Sequence, residues 1–358
     1  MSECYITDTA RFLPGEAIPN QRISDYLGAL DGEDPVKKRV LRMNGIRQRH
    51  FAQTRDQVPT HDVYDLAAAA VGGLSDTDGV GYLAAGTTYA PLSGPGVASL
   101  VHARLQAQDC LTRPVEIASH GGICSSASAA LVGAVRAVAT GDQDHAISVG
   151  AEHASEVLKS SELAIVDDRD QHDDPRESEW FMTVFLRFML SDGAGAFRLS
   201  NQPRASGLSL RVDWTHSASF AHEAPLCMKL DNRDRRLTQH VPTLSAYMIP
   251  TAQRFAADGL ARHGESLDDY AVVLPHMSSF YFRDQMEQII AGATSDGRMR
   301  PYWTNLATAG NTGAASIYIM LDEYLEQHPP RDGDRIMLFV PESGQFNFVM
   351  ISLTAVRR

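Results

Sequence analysis

Short apolar runs alternate along the chain with longer stretches in which apolar residues recur every three or four positions. The first pattern reads as buried strands and the second as amphipathic helices, and their alternation predicts an α/β protein. Strands are predicted at 81–85, 115–119, 146–150, 208–212, 271–274, 335–340 and 347–353. Helices are predicted at 63–73, 95–107, 125–140, 244–263, 281–293 and 313–326. From 127 to 139 the side chains are apolar or small nearly all the way round, which marks a helix buried between layers.

Two segments of the chain resemble each other. Cys124 opens CSSASAALVGAVRAVATG, followed about twenty residues later by the strand-like HAISVGAE. Asn311 opens NTGAASIYIMLDEYL, followed at a similar distance by DRIMLFVPES. Each reads as a turn of small residues, a small-residue helix, a loop and an apolar strand. A duplicated half-domain would place Cys124 and Asn311 at related positions, although two alanine-rich helices in one α/β protein can also agree by chance. The division this suggests is 1–200 for a first half and 201–358 for a second.

The chain has 358 residues, a length at which one hydrophobic core rarely suffices. Its 32 Lys and Arg against 44 Asp and Glu leave a net charge of −12, which argues against a nucleic-acid binder. No stretch reaches the roughly 20 uninterrupted apolar residues of a membrane span, and the first residues lack the basic-then-apolar pattern of a secretory signal. The four cysteines, Cys4, Cys110, Cys124 and Cys227, form no CxxC pair, so neither a zinc site nor a disulfide framework is expected. Together these features suggest a cytoplasmic protein. The acidic stretch 167–177 lacks an ordered ligand spacing and reads as a solvated loop, so no metal is expected there. Neither GxGxxG after a strand nor GxxxxGK[ST] occurs, so a phosphate-cradling nucleotide site has no support.

Chemistry gathers at three places. Cys124 heads the buried helix, where unpaired backbone N–H groups and the positive end of the dipole are expected to favour the thiolate. The alternative, a small buried hydrophobe, is the usual fate of a free cysteine. His276 ends an apolar strand beside Pro275 and two serines, and Asn311 sits between Gly310 and Gly313. An imidazole and a carboxamide aimed at one point can hydrogen-bond a thioester oxygen and an enolate. His120, four residues before Cys124, is a rival partner for the thiol. Glu152 and His153 follow a strand and are candidates to line a pocket, with ordinary polar packing as the alternative; Cys4, Cys110 and Cys227 are read as structural.

At these motifs the sequence resembles the ketoacyl-ACP synthase III branch of the thiolase-fold condensing enzymes, over nearly the whole chain. The resemblance is carried by LRMNGIRQRHFA, GTTYAPLSGPG, GGICSSASAAL, ISVGAEHAS, MLSDGAGAF, LPHMSS and AGNTGAAS, in that order. It implies a layered αβαβα fold of two pseudo-equivalent halves and a homodimer with active sites near the interface. It implies that Cys124 takes an acyl group from a CoA or acyl carrier protein thioester, with no further cofactor. His276 and Asn311 would stabilise the enolate of a malonyl- or β-ketoacyl-type thioester, and the carbanion would attack the acyl-Cys carbonyl. The Cys124 N–H and an amide of the turn at Glu342, Ser343 and Gly344 would hold the oxyanion.

Departures from the family pattern bear on the substrates. A thiolase would carry a second reactive cysteine where PESGQ has Ser343, so thiolytic chemistry is disfavoured. Glu342 replaces a glycine of the usual turn and is expected either to shape the second substrate's approach, to act as a base, or to be a solvent-facing turn residue. The tryptophan that stacks on the CoA adenine in the family is missing from DPVKKRVLRMNGIRQR, which gives weight to a carrier-protein donor. Arg283 and the run containing Arg233, Arg235 and Arg236 are candidates to dock an acidic carrier, the run also reading as a plain solvated patch. The segment 155–188 is longer than in housekeeping fatty-acid enzymes, and its WFMTVFLRFML end could line an acyl pocket or the dimer interface, or pack in the core. Specialised polyketide or fatty-acid-like metabolism is the expected setting. Two other readings stay open: an acyltransferase passing the acyl group from Cys124 to a hydroxyl or amine, and a non-catalytic partner subunit.

Overall fold

The computed structural model describes residues 2–163, 168, 171 and 178–358. Nine strands form one mixed sheet: β1 (Tyr5–Phe12), β2 (Val80–Thr87), β3 (Glu116–Gly121), β4 (His145–Glu152), β5 (Gly193–Ser200), β6 (Leu208–Ser219), β7 (Val272–Pro275), β8 (Arg335–Val340) and β9 (Asn347–Arg357). Their order across the sheet is β7-β8-β9-β6-β1-β5-β4-β2-β3. Only Tyr5 and Ile6 of β1 pair with β6, at Arg211 and Leu210, so the sheet consists of two blocks joined by a short seam.

The blocks share one design. In the first, β2 runs parallel to β3 and β4, and β4, β5 and β1 follow antiparallel. In the second, β7 runs parallel to β8 and bridges Tyr302 in parallel, and β8, β9 and β6 follow antiparallel. Chain order and strand sense coincide position by position.

Alternation along the strands separates three apolar layers. Ile336, Leu338 and Val340 of β8 and Val349 and Ile351 of β9 face a middle layer, built with Ala127, Ala130 and Leu131 of α4 (Ser126–Thr140) and Ile317 and Tyr318 of α8 (Ser316–Gln327). Ile147 and Val149 of β4 face outward onto α2 (Val63–Gly72) and α3 (Val97–Ala107). On the opposite outer face, Met337, Phe339 and Met350 pack with α6 (Val241–His263) and α7 (Arg283–Gly292). The result is the layered αβαβα arrangement. The middle helices touch the sheet closely: a Cβ placed at Gly195 would lie 2.5 Å from that of Tyr318, so β5 needs glycine there.

The sequence reading overlooked several elements. Strand β5, GAGAFRLS, is written in glycine and alanine, poor strand formers that suit a strand pressed between helices. Strand β1 mixes buried and half-buried residues without clean alternation. Helices α1 (Asp34–Asn44) and α5 (Glu179–Arg187) were also missed. Three predicted helix starts are early by two or three residues, because Phe280–Phe282 and Gly313–Ala315 are 3-10 turns and the segment at Pro95 enters helix only at Val97. The acidic stretch 167–177 lies outside the described residues except Asp168 and Gln171. Asp168 accepts hydrogen bonds from the backbone N–H groups of Glu179 and Trp180 at the start of α5.

Helix α5 is pinned by a buried arginine. The Arg187 guanidinium, fully enclosed, donates to Glu33 Oε2 at 2.5 Å and to the carbonyls of Leu27, Gly28 and Leu158. Replacing Arg187 with Met would strand the Glu33 carboxylate, 2% exposed, and is expected to cost about 3–5 kcal/mol in denaturant unfolding. Adding Glu33→Gln should recover part of that loss; an Arg187→Met variant as stable as the parent would show that the pair does not anchor the helix.

Candidate active site

Cys124 lies in the turn between β3 and α4, two residues before the helix begins, and is 9% exposed. Its side chain lines two cavities at once. The smaller, about 40 Å³, also has Glu152 and Asn311 in its wall; the larger, about 230 Å³, has His276. Gln239, Ser278 and Ser343 border both. The fold thus brings Cys124, His276 and Asn311 to the junction of two chambers.

Each partner is held by backbone. His276 follows β7 and its N–H donates to the Phe339 carbonyl at 2.8 Å. Its ring is buried, Nδ1 has no hydrogen-bond partner among the described residues, and burial pulls its pKa down to about 4. At neutral pH the imidazole is therefore uncharged, a hydrogen-bond donor rather than a cation. The Asn311 segment is stitched to the end of α5's continuation: its N–H donates to Met189 O at 3.2 Å and its carbonyl accepts from Ser191 N at 2.9 Å. The carboxamide is oriented by Gly313 N–H, which donates to Oδ1 at 3.0 Å, so Nδ2 is the end left for a ligand.

Electrostatics correct one expectation. The thiolate predicted from the helix N-terminus is opposed by burial and by the charges of Glu342 and Glu152, all of which push the Cys124 thiol up. The resting site is a neutral thiol with a neutral imidazole.

Glu152 lies in the wall of the smaller cavity. Its Oε2 accepts from Thr88 Oγ1 at 2.6 Å and from Ala314 N at 3.0 Å, and burial lifts its pKa to about 7. Gly313, at φ +50°, rests against this carboxyl, where a Cβ would come within 2.2 Å of Oε2. Glu152 thereby braces the turn that carries Asn311.

Of the three roles expected of Glu342 the structure overturns one: it is 5% exposed, so it is no solvent-facing turn residue, and it lines, with His120, a cavity next to the two bordered by Cys124. It accepts from Gln345 N, Asn347 N and Ser125 Oγ, tying the C-terminal turn to the residue after the nucleophile. His120 lines that same neighbouring cavity and neither of the two bordered by Cys124. Ser343 reaches both Cys124 cavities and accepts from Gln239 Nε2 at 3.1 Å, while Gly344 O accepts from Cys227 N and Met228 N. His153 is buried 3.9 Å from Asp192 and lines neither chamber. Cys4 and Cys227 are buried, Cys110 half-buried, and all three are free thiols.

The expected docking arginines divide. Arg233 pairs with Asp231, Arg235 with Glu162, and Arg236 with Asp234 and Glu179, so carboxylates within the hairpin Met228–Asp231/Arg236–Gln239 and beside it meet their charges. Arg283 is exposed, lies over the Phe280 ring at 4.7 Å and adjoins Phe282, which lines the larger cavity. Arg39 of α1, unnamed in the sequence reading, is exposed and lines that cavity too. Its only sequence signal was its place in the segment lacking the family tryptophan.

Comparison with known proteins bears on the fold. No family model matches the chain. Over 327 residues, 90% of each chain, it is 22% identical to the β-ketoacyl-[acyl-carrier-protein] synthase III of Acholeplasma laidlawii. Along nearly its whole length the chain is thus similar to β-ketoacyl-[acyl-carrier-protein] synthases III, and it shares its fold with solved condensing enzymes. Its fold superposes on the tetronic acid condensing enzyme AbyA1 with a TM-score of 0.77, at 18% identity, covering 99% of this chain and 100% of that one. For OleA of Xanthomonas campestris the TM-score is 0.75 at 17% identity, covering 98% of both. Among the described residues no helix of this chain is long and apolar enough to cross a membrane.

The raised pKa of Glu152 couples to stability. A folded-state value of about 7 against an ordinary 4.5 means that the folded protein binds the extra proton, so this contribution is full below pH 4.5 and lost as pH rises through 7. Relative to Glu152→Gln, the parent should lose on the order of 3 kcal/mol between roughly pH 5 and 8. Parallel stability–pH curves for the two proteins in denaturant titrations would contradict the assignment.

Proposed function

We propose that this chain takes an acyl group onto Cys124 from a thioester and joins it to a second, malonyl- or β-ketoacyl-type thioester by Claisen condensation. The observation that carries the reading is the meeting of one thiol, one neutral imidazole and one oriented carboxamide where two chambers touch. In the first step the Cys124 sulfur attacks the donor's carbonyl, the S–H proton passes to the departing thiolate by way of His276, and an acyl-Cys remains. A neutral imidazole can accept and return that proton. In the second step the bond to the malonyl carboxylate breaks and CO₂ leaves. His276 N–H and Asn311 Nδ2 donate to the thioester oxygen on which charge develops. The carbanion attacks the acyl carbonyl, whose oxygen is held by backbone N–H groups at Cys124 and Ser343. The Cys124 sulfur leaves and the product is a β-ketoacyl thioester.

A homodimer and an acidic acyl carrier are the partners that fit this reading. The exposed cations beside the larger cavity, Arg39 and Arg283, suit the phosphate of a carrier arm, and specialised metabolism is the setting we favour. The oriented carboxamide supports condensation over transfer to a hydroxyl or amine, which has less need of an enolate-stabilising donor. Incubation with acyl and malonyl thioesters should release CO₂ and give a β-keto product, falling to background in Cys124→Ala. An ester or amide formed from added alcohols or amines, without CO₂, would overturn the reading.

A further inference from the structure

Two turns far apart in the chain meet beside Cys124. One, residues 122–125, carries the nucleophile from β3 into α4; the other, residues 341–346, joins β8 to β9 and carries Ser343. They touch where a Cβ placed at Gly344 would lie 2.8 Å from Ile123 Cγ1. Among the described residues neither the Cys124 N–H nor the Ser343 N–H donates to a backbone carbonyl, so both are free to meet the oxygen of an acyl group. Two such donors stabilise an oxyanion only while the turns that carry them keep one separation and one angle.

Glu342 ties the turns together. Its Oε2 accepts from Ser125 Oγ and from the Asn347 N–H, each at 3.3 Å, and its Oε1 accepts from the Gln345 N–H at 3.1 Å. Asn347 Nδ2 donates to the same Ser125 Oγ at 2.9 Å, which closes a ring of side chains across the junction. Ser125 and Glu342 are both buried, so water does not compete for these bonds. The second turn needs the support. Phe346, between the two N–H groups that Glu342 receives, has φ +54°, an unfavourable backbone for so large a residue.

Both carboxyl oxygens are thus occupied by donors, and none of those donors is the thiol. The Glu342 charge also pushes the Cys124 thiol up, the opposite of what a base serving that thiol would need. Resting on the acyl-Cys reading above, we infer that Glu342 is a positioning residue for the oxyanion hole, fastening the turn of Ser343 to the turn of Cys124 so that their N–H groups converge on one acyl oxygen. The glycine that the family pattern has at this place carries no side chain to make such a tie. Losing the tie therefore slows attack on a carbonyl, whose oxygen needs the hole, and spares attack of the same sulfur on a carbon that has no such oxygen.

The test compares two reactions of Cys124 in the full-length protein. Intact mass gives the acylation rate with the fastest of a series of straight-chain acyl-CoA and acyl-pantetheine thioesters from acetyl to octanoyl. Peptide mapping gives the rate of Cys124 alkylation by iodoacetamide. In Glu342→Gln the carboxamide must turn an NH₂ toward one of the two backbone N–H groups, so the tie is broken at nearly constant shape. Acylation should fall about 10- to 100-fold while alkylation stays within about threefold of the parent or rises. Ser125→Ala, which cuts the tie from its other end, should give the same split, and the double variant should be no slower than the slower single one. Acylation of Glu342→Gln within about twofold of the parent, alkylation falling in step with acylation, or additive losses in the double variant would each overturn the positioning role. All three leave the acyl-Cys reading standing. A parent protein that takes no acyl group on Cys124 from any of the thioesters would overturn that reading and the inference with it. If Glu342→Gln fails to fold, the same two rates in Ser125→Ala decide the matter.

Discussion

A single hydrogen bond joins the two helices on which the site depends. Tyr318 of α8 sends its hydroxyl to the carbonyl of Ala127 in the first turn of α4, at 2.7 Å, and receives one from Ser148 of β4 at 2.6 Å. This bond sits in the middle layer, with Tyr318 fully buried and packed on the Phe197 ring at 4.4 Å between centroids. It fixes the start of α4, where Cys124 lies, against the start of α8, where Asn311 lies. A buried hydroxyl left without partners costs about 1–3 kcal/mol, so the two helices are held in one relative position. The glycine at 195 and the alanines of α4 are consequences of the same constraint, because the helices must lie almost on the strands.

Around that frame burial works against charge at the site. Burial lowers the His276 pKa, raises that of Glu152 and disfavours the Cys124 thiolate, all for one reason: water is excluded. A site of neutral donors suits chemistry in which charge appears only transiently on a thioester oxygen, since the donors are strongest where no solvent competes. The same exclusion explains why a helix dipole alone does not ionise the thiol. Two nearby carboxyls and a dry wall outweigh the dipole of α4 at the Cys124 sulfur.

Much of this was legible in the sequence. The small-residue helices after Cys124 and Asn311 announced a buried layer, and the strand ending at Pro275 placed His276 at a chamber wall. Strand β5 was hidden because Gly193, Ala194 and Gly195 are chosen for closeness to α8 rather than for strand preference. The roles of Glu342 and Glu152 were out of reach because burial and partners such as Ser125, Thr88 and Ala314 come from distant segments. The ionisation of Cys124 was misjudged for a related reason: a sequence shows the helix start but not which carboxyls the fold turns toward it. Arg187 and Glu33, 154 positions apart, could be matched only in three dimensions.

The central claim is that the thiol carries the acyl group while the carboxamide serves only the following enolate. Following the intact mass of Asn311→Ala over time with acyl and malonyl thioesters tests it most directly. The acylated Cys124 should build up to stoichiometric occupancy and persist, with β-keto product strongly reduced. Product formation at the parent rate, or a protein that never acquires the acyl mass, would contradict the division of labour.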